Sequence, residues 1–268
     1  MGHGRIKKGV PCPGTPIVKK GIAVDLHGTL VVPAAGKPQA QLVKEVAVSV
    51  LGKINESHES LSRRTRALRL SLEDKLQIGE RSGLTYWSMV NMQIFGCGAE
   101  AAIEISRRLT TDASLYEMPA DRRAFFTRLF EEKFPADRVT LMIASNSDAA
   151  SVDALLRKIG MKKYFPDGSI FTPEMSGGSG KPSLQYSRGV LAMMNVSAPE
   201  ALMIGNSGLH DLAFARLGVD VAWLRDPNEA IPGKMIKRLF GGFAKHILTI
   251  NSLAEAWPKI DAAFVSRP

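Results

Sequence analysis

Four segments far apart in the chain end in residues able to do polar chemistry. Asp25 closes the apolar run Gly21-Ile22-Ala23-Val24, with His27, Gly28 and Thr29 directly behind it. Ser145 and Asn146 follow the run 139–144, Lys181 follows Gly180, and Asn206 and Asp211 follow the run 201–204. Two carboxylates, a hydroxyl, an ammonium and an amide would make a charged, hydrogen-bonding mouth for a ligand. Taken singly, each has a plainer reading: Asp25 and Ser145 as turn or helix caps, Lys181 as a solvated lysine. For four segments in this order, each at the end of a strand or loop, coincidence is the weaker account.

A parallel sheet would bring these positions together. The short apolar runs 21–24, 139–144, 169–171, 201–204 and 219–223 read as strands buried on both faces. Residues 246–250 read as a last strand before a closing helix at 253–264. Helical stretches at 148–159, 182–194 and 209–217 separate the strands, which predicts right-handed crossovers and a parallel sheet. In such sheets, ligands bind beyond the carboxyl ends of the strands.

The segment 38–115 breaks the rhythm. Residues 39–54 are amphipathic, with Leu42, Val46, Val50 and Leu51 on one side. Stretches 57–70, 72–80, 86–95 and 99–109 also read as helices, and none reads as a strand. The expected fold is therefore α/β, a three-layer Rossmann-like parallel-sheet core with an inserted all-helical cap. The expected division is a basic leader at 1–20, a core at 21–37 and 116–268, and the cap at 38–115.

Composition narrows the class. Apolar residues make up 45% of the 268, ordinary for a globular protein. No run approaches the ~20 apolar residues of a membrane span, and the N-terminus lacks the apolar run of a secretory signal. The two cysteines, Cys12 and Cys97, make neither a disulfide framework nor a metal cluster. A reducing, cytoplasmic compartment is the expectation. The net charge of +9 favours anionic partners. The basic residues are dispersed and accompany no nucleic-acid-binding motif. The expected partner is a small anionic substrate, phosphorylated in the simplest case; nucleic acid fits the charge alone, and no membrane is expected.

The motifs then carry a resemblance. Asp25-Leu26-His27-Gly28-Thr29-Leu30 resembles the first motif of the haloacid-dehalogenase-like hydrolases, Asp-x-Asp-Gly-Thr-Leu. Ile143-Ala144-Ser145-Asn146 resembles the second and Gly180-Lys181-Pro182 the third. Ile204-Gly205-Asn206-Ser207 with Asp211 resembles the fourth. Order and spacing cover residues 21–264, and the insertion after the first strand matches the helical cap of many members. The resemblance implies phosphomonoester hydrolysis through an aspartyl-phosphate on Asp25. Ser145 and Lys181 would hold the transferring group, Thr29 and Asn146 would assist substrate binding, and Mg²⁺ would sit at Asp25, Asn206 and Asp211.

Two departures qualify this. The acid two residues after the nucleophile is His27, and the first acid of the fourth motif is Asn206. An imidazole exchanges protons near neutral pH, so His27 is a candidate acid–base group; equally, it could merely fill the slot. An amide at 206 removes one charge from the Mg²⁺ site, so binding should be weak or absent. Two alternatives stay open: a metal-independent, dehalogenase-type hydrolase, faintly supported by Tyr186, and a catalytically degenerate binding or scaffold protein. Weaker candidates are a Trp87, Met89, Met92 and Phe95 pocket, a Gly177–Gly180 phosphate nest, and His210 as a second proton carrier. For these the plainer readings are cap core, a flexible loop and a surface helix position.

Overall fold

A computed structural model describes residues 20–52, 60, 86–134, 139–225 and 233–264. The first apolar run forms β1 (Gly21–Val24), buried at every residue. A two-residue strand, β2 (Val32–Pro33), leads to α1 (Gln39–Leu51), α2 (Tyr86–Phe95) and α3 (Ala99–Thr111). The chain returns through β3 (Tyr116–Glu117) to α4 (Ala120–Arg128), which runs on into a π-helical turn at Leu129–Lys133. Then come β4 (Thr140–Ala144), α5 (Ala149–Lys158), β5 (Ile170–Phe171), α6 (Leu184–Met194), β6 (Ala201–Gly205) and β7 (Asp220–Leu224). The last elements are α7 (Gly233–Phe240), β8 (Ile247–Ile250) and α8 (Leu253–Phe264).

Six strands make one sheet in the order β5-β4-β1-β6-β7-β8, every pair parallel. Side chains alternate across it, as a period of two requires. Ile22, Val24, Leu141, Ile143, Leu202 and Ile204 pack on one face with Phe126 of α4, Leu155 and Leu156 of α5, and Ile260 of α8. Ala23, Met142 and Met203 pack on the other with Tyr186, Val190 and Met194 of α6. Helices thus cover both faces, which is why these strands read as unbroken apolar runs rather than alternating ones.

Val24 pairs with Ile143 on one side and Ile204 on the other. Asp25 therefore leaves the sheet level with the ends of β4 and β6. The chain moves outward from β1 through β4 to β5, then crosses back to start β6 on the other side of β1. The strand order reverses there, which opens a crevice at the carboxyl edge of β1.

Three features differ from the sequence reading. β2 and β3 pair antiparallel, Val32 with Glu117 and Pro33 with Tyr116. They bracket the inserted segment and are too short to leave an alternating pattern. The stretch 209–217 is a 3₁₀ helix at Leu212–Leu217, and the Asp211 side chain that precedes it does not cap it. His210 is buried at 6% exposure rather than on a surface helix. The described part of 38–115 contains helices and no strand. Apart from Ser60, the expected helices 57–70 and 72–80 lie outside the described residues, as do most of the leader and the side chains of Trp87 and Met89. Phe95 packs against the core, in keeping with the plainer reading of that stripe.

Candidate active site

The centre of the site is a buried ammonium between two carboxylates. Lys181 Nζ donates to Asp25 Oδ1 at 2.5 Å and to Asp211 Oδ1 at 2.8 Å. Burial alone would lower the lysine pKa, but Asp211 and Asp25 outweigh it and raise it. Asp211 moves the other way from an ordinary ion-pair carboxylate, up to about 7. Burial is the main cause; Lys181 opposes it and the neighbouring charge of Asp25 adds to it. The asymmetry is physical: the lysine has two anionic partners, while Asp211 shares its single cation with a second anion.

The surrounding groups hold this arrangement. The second Asp211 oxygen accepts from Ser207 N–H at 2.8 Å. A side chain on Gly205 would strike that same oxygen, its Cβ falling 2.3 Å away. Thr29 is fully buried, and its hydroxyl donates to Asp25 Oδ2 at 2.9 Å and lies 3.2 Å from Asn206 Oδ1. Trp223 Nε1 donates to Asn206 O at 2.9 Å. Gly28 has φ +85°, and a Cβ there would lie 2.1 Å from Asn206 Nδ2.

Asn146 works on Lys181 from behind. Its Oδ1 accepts from Lys181 N–H at 2.7 Å, and its Nδ2 donates to Lys181 O at 3.0 Å. Both ends of the amide are thus committed to protein backbone. Ser145, 2% exposed, directly follows β4; its Oγ accepts from Ser147 N–H at 3.1 Å. Its carbonyl accepts from Tyr186 OH at 2.9 Å, and Tyr186 donates also to Phe171 O at 2.8 Å. Tyr186 is fully buried. That makes it the packing residue of the plainer reading and removes the faint support it lent to dehalogenation.

His27 sits two residues past Asp25, and its Nε2 is buried with no hydrogen-bond partner among the described residues. Burial lowers its pKa to about 4; Asp25 works against the shift and Lys181 with it. The imidazole is therefore neutral at pH 7, a base rather than an acid.

Two residues that gave no sequence signal complete the site. Arg122 of α4 donates through one guanidinium nitrogen to Gly28 O and Thr29 O, both at 2.5 Å. Tyr116 of β3 meets the His27 ring edge-on, with centroids 4.5 Å apart. Both come from beyond the insertion, where a single sequence offers no spacing rule to find them. The Gly177–Gly180 run places Gly180 against Asn146 Oδ1, and so beside the lysine clamp.

The donor set does not fit magnesium. Mg²⁺ needs hard oxygens in a near-ideal octahedron and is favoured by negative charge. Asp25 spends its oxygens on Lys181 and Thr29, Asp211 spends its own on Lys181 and Ser207 N–H, and Asn206 supplies only a neutral amide. No group of three or more His, Cys, Asp or Glu residues among the described residues is placed to hold a metal.

Neither a sequence-family model nor a curated protein matches the chain. Solved structures do. A HAD family hydrolase from Deinococcus radiodurans, with bound phosphate and sodium, superposes with TM-score 0.59 at 16% identity, covering 92% of this chain and 97% of its own. YfnB from Bacillus subtilis, assigned as a HAD-hydrolase and bound to magnesium, gives 0.55 at 18% identity over 84% and 99%. A dehalogenase gives 0.56 at 15% identity over 90% and 96%. The chain has the haloacid-dehalogenase-like fold. Within that fold the four sequence motifs fall on the carboxyl edge of the sheet, with β1 at its centre. Among the described residues, no helix is long and apolar enough to cross a membrane.

Proposed function

We propose that this haloacid-dehalogenase-like protein hydrolyses small phosphomonoesters through a covalent intermediate on Asp25. The observation that carries the reading is the Lys181 ammonium 2.5 Å from Asp25 Oδ1. That cation offsets the repulsion between Asp25 and an anionic substrate. The phosphate bound in the Deinococcus neighbour supports the same substrate class.

In the first step, an Asp25 oxygen attacks phosphorus and the bond from phosphorus to the ester oxygen breaks. Solvent protonates the leaving alkoxide. Ser145 and Lys181 hold the transferring oxygens, while Thr29 and Asn146 act by positioning Asp25 and Lys181. In the second step, water attacks the same phosphorus, neutral His27 accepts its proton, and the Asp25 carboxylate is released with inorganic phosphate. No step passes through a metal. The described helices between β2 and β3 serve as part of the cap that selects the substrate.

A second reading is favoured by the poor fit to magnesium: metal-free attack of Asp25 on carbon, with halide or a similar group leaving. One panel separates the two. Phosphate release from p-nitrophenyl phosphate and small sugar phosphates, and halide release from 2-haloacids, are measured with EDTA present, for wild type and Asp25→Asn. Phosphate release lost in Asp25→Asn supports the first reading, and halide release alone supports the second. If no substrate turns over, the site is a degenerate one that only binds.

A further inference from the structure

Tyr116 touches both the inserted segment and the loop that carries the proposed nucleophile. Its hydroxyl donates to Leu109 O, near the end of α3, at 2.6 Å. Its backbone lies in β3, paired with Pro33 of β2. Its ring, 3% exposed as a residue, stands edge-on to the His27 imidazole at 4.5 Å and 67°. A histidine ring is commonly oriented by the hydrogen bond that one of its nitrogens makes. Nε2 of His27 makes none among the described residues. The edge-on aromatic contact is then a direct constraint on the plane of the imidazole.

We propose that Tyr116 is a positioning residue for His27, and that its hydroxyl ties the orientation of the imidazole to the end of α3. This deepens the reading of His27 as the base of the second step, and rests on it. A base must lie within hydrogen-bond reach of the water whose proton it takes, and a ring free to turn about its side-chain bonds would meet that condition for only part of the time. The hydroxyl tether extends the control outward. A displacement of the end of α3 would pull on the Tyr116 ring and, through it, on the imidazole. α3 and the proton carrier are thereby joined through one side chain.

Two measurements test this, one of them independent of turnover. The first compares nuclear Overhauser contacts of the His27 ring protons in wild type, Tyr116→Phe and Tyr116→Leu, with His27→Gln to assign them. In Tyr116→Leu the contacts between the imidazole and its remaining neighbours should weaken and the lines broaden. In Tyr116→Phe the ring contact should persist, with partial broadening from the lost tether. Unchanged imidazole contacts in Tyr116→Leu overturn the proposal, whether or not the protein turns over any substrate. Should Tyr116→Leu fail to fold, Tyr116→Phe decides: a wild-type imidazole spectrum there overturns the tether.

The second measurement follows rapid-mixing and steady-state turnover of p-nitrophenyl phosphate. Tyr116→Leu should keep the initial burst of nitrophenol and slow the steady rate by about 10²-fold, the range for losing an acid–base group, with Tyr116→Phe a few-fold down. In a His27→Gln background, Tyr116→Leu should cost nothing more, because two residues that act as one do not add. A full additional loss there would mean that Tyr116 is merely structural. If no variant and no wild type turns over any phosphate ester, the hydrolase reading fails while the imidazole contacts still judge Tyr116.

Discussion

Lys181 and Asp211 meet at 2.8 Å, with side-chain exposures of only 3% and 0%. A charge placed there is tolerable only while its partner remains. Asp211→Ala leaves Lys181 with Asp25 alone, so it should lower unfolding stability by less than the about 3–5 kcal/mol that orphaning one member of a buried pair costs. Asp211→Asn should cost less, because it keeps an acceptor for Ser207 N–H. Urea denaturation of the three proteins checks the order. Equal midpoints for the alanine and asparagine variants would show that the retained acceptor contributes nothing, and midpoints equal to wild type that the charge is not what holds Lys181.

His27 predicts a pH dependence of opposite sense to a surface histidine. Its pKa falls from 6.5 to about 4 on folding. Between those values the unfolded chain binds a proton that the folded chain refuses, so stability declines as pH falls from 6.5 to about 4 and this contribution is flat below. Complete refusal is worth on the order of 3 kcal/mol at about 1.4 kcal/mol per unit. Asp211, raised to about 7, contributes in the opposite sense over the same range, so the wild-type profile minus the His27→Gln profile, from denaturant midpoints at pH 4, 5, 6 and 7, should carry the His27 slope. The same slope in wild type and variant would refute the assignment.

The strands were legible because burial on both faces leaves runs such as Ile22-Ala23-Val24 with no polar break, and because Asp25 and Ser145 sit one step past such runs. Asp148, read as the start of a helix, is its cap and accepts from Ser151 N–H. What stayed hidden depends on distant partners. Nothing in the local sequence marks Arg122 as a clamp on Gly28 and Thr29, or Tyr116 as a neighbour of His27. A lone lysine after a glycine reads as solvated until two acids from other strands enclose it. The ribbon of β2 and β3 is two residues wide, below the length at which alternation can be recognised.

Asn146 holds Lys181 by its backbone N–H and carbonyl together. Asn146→Ala removes both bonds and should cost about 1–3 kcal/mol of stability. It should also loosen the lysine and so lower turnover. Asn146→Asp keeps the acceptor for Lys181 N–H but turns a second oxygen towards Lys181 O, so it should recover only part of the loss. Thermal unfolding and initial rates on the same preparations separate the two effects. Full recovery by aspartate would show that the second bond contributes nothing.

Gly28 has no room for a side chain. Its φ of +85° is strained for any other residue, and a Cβ would lie 2.1 Å from Asn206 Nδ2. Gly28→Ala should destabilise by about 1–3 kcal/mol from backbone strain alone, and should displace Asn206 from Thr29. The replacement should therefore reduce activity more than its loss of stability explains at temperatures where the variant is fully folded. Activity at the wild-type level under those conditions would mean that the Asn206–Thr29–Asp25 chain of contacts is dispensable.

The charge of the site sets its appetite for metal. As it stands, one ammonium faces two carboxylates, one of them raised to about 7, and the residues at 27 and 206 are neutral. A hard dication gains little from such a set, since its attraction grows with the negative charge within reach. Replacing His27→Asp and Asn206→Asp together adds two carboxylates beside Asp25. Calorimetric titration should show weak or no Mg²⁺ binding in wild type and at least tenfold tighter binding in the double variant, about 1.4 kcal/mol or more. Turnover of p-nitrophenyl phosphate should rise with Mg²⁺ in the variant and stay unaffected by EDTA in wild type. Wild-type binding as tight as the variant's would overturn the charge argument. A variant that binds Mg²⁺ while neither protein releases phosphate would turn the reading of Asp25 from phosphorus towards carbon, or to a site that binds without reacting.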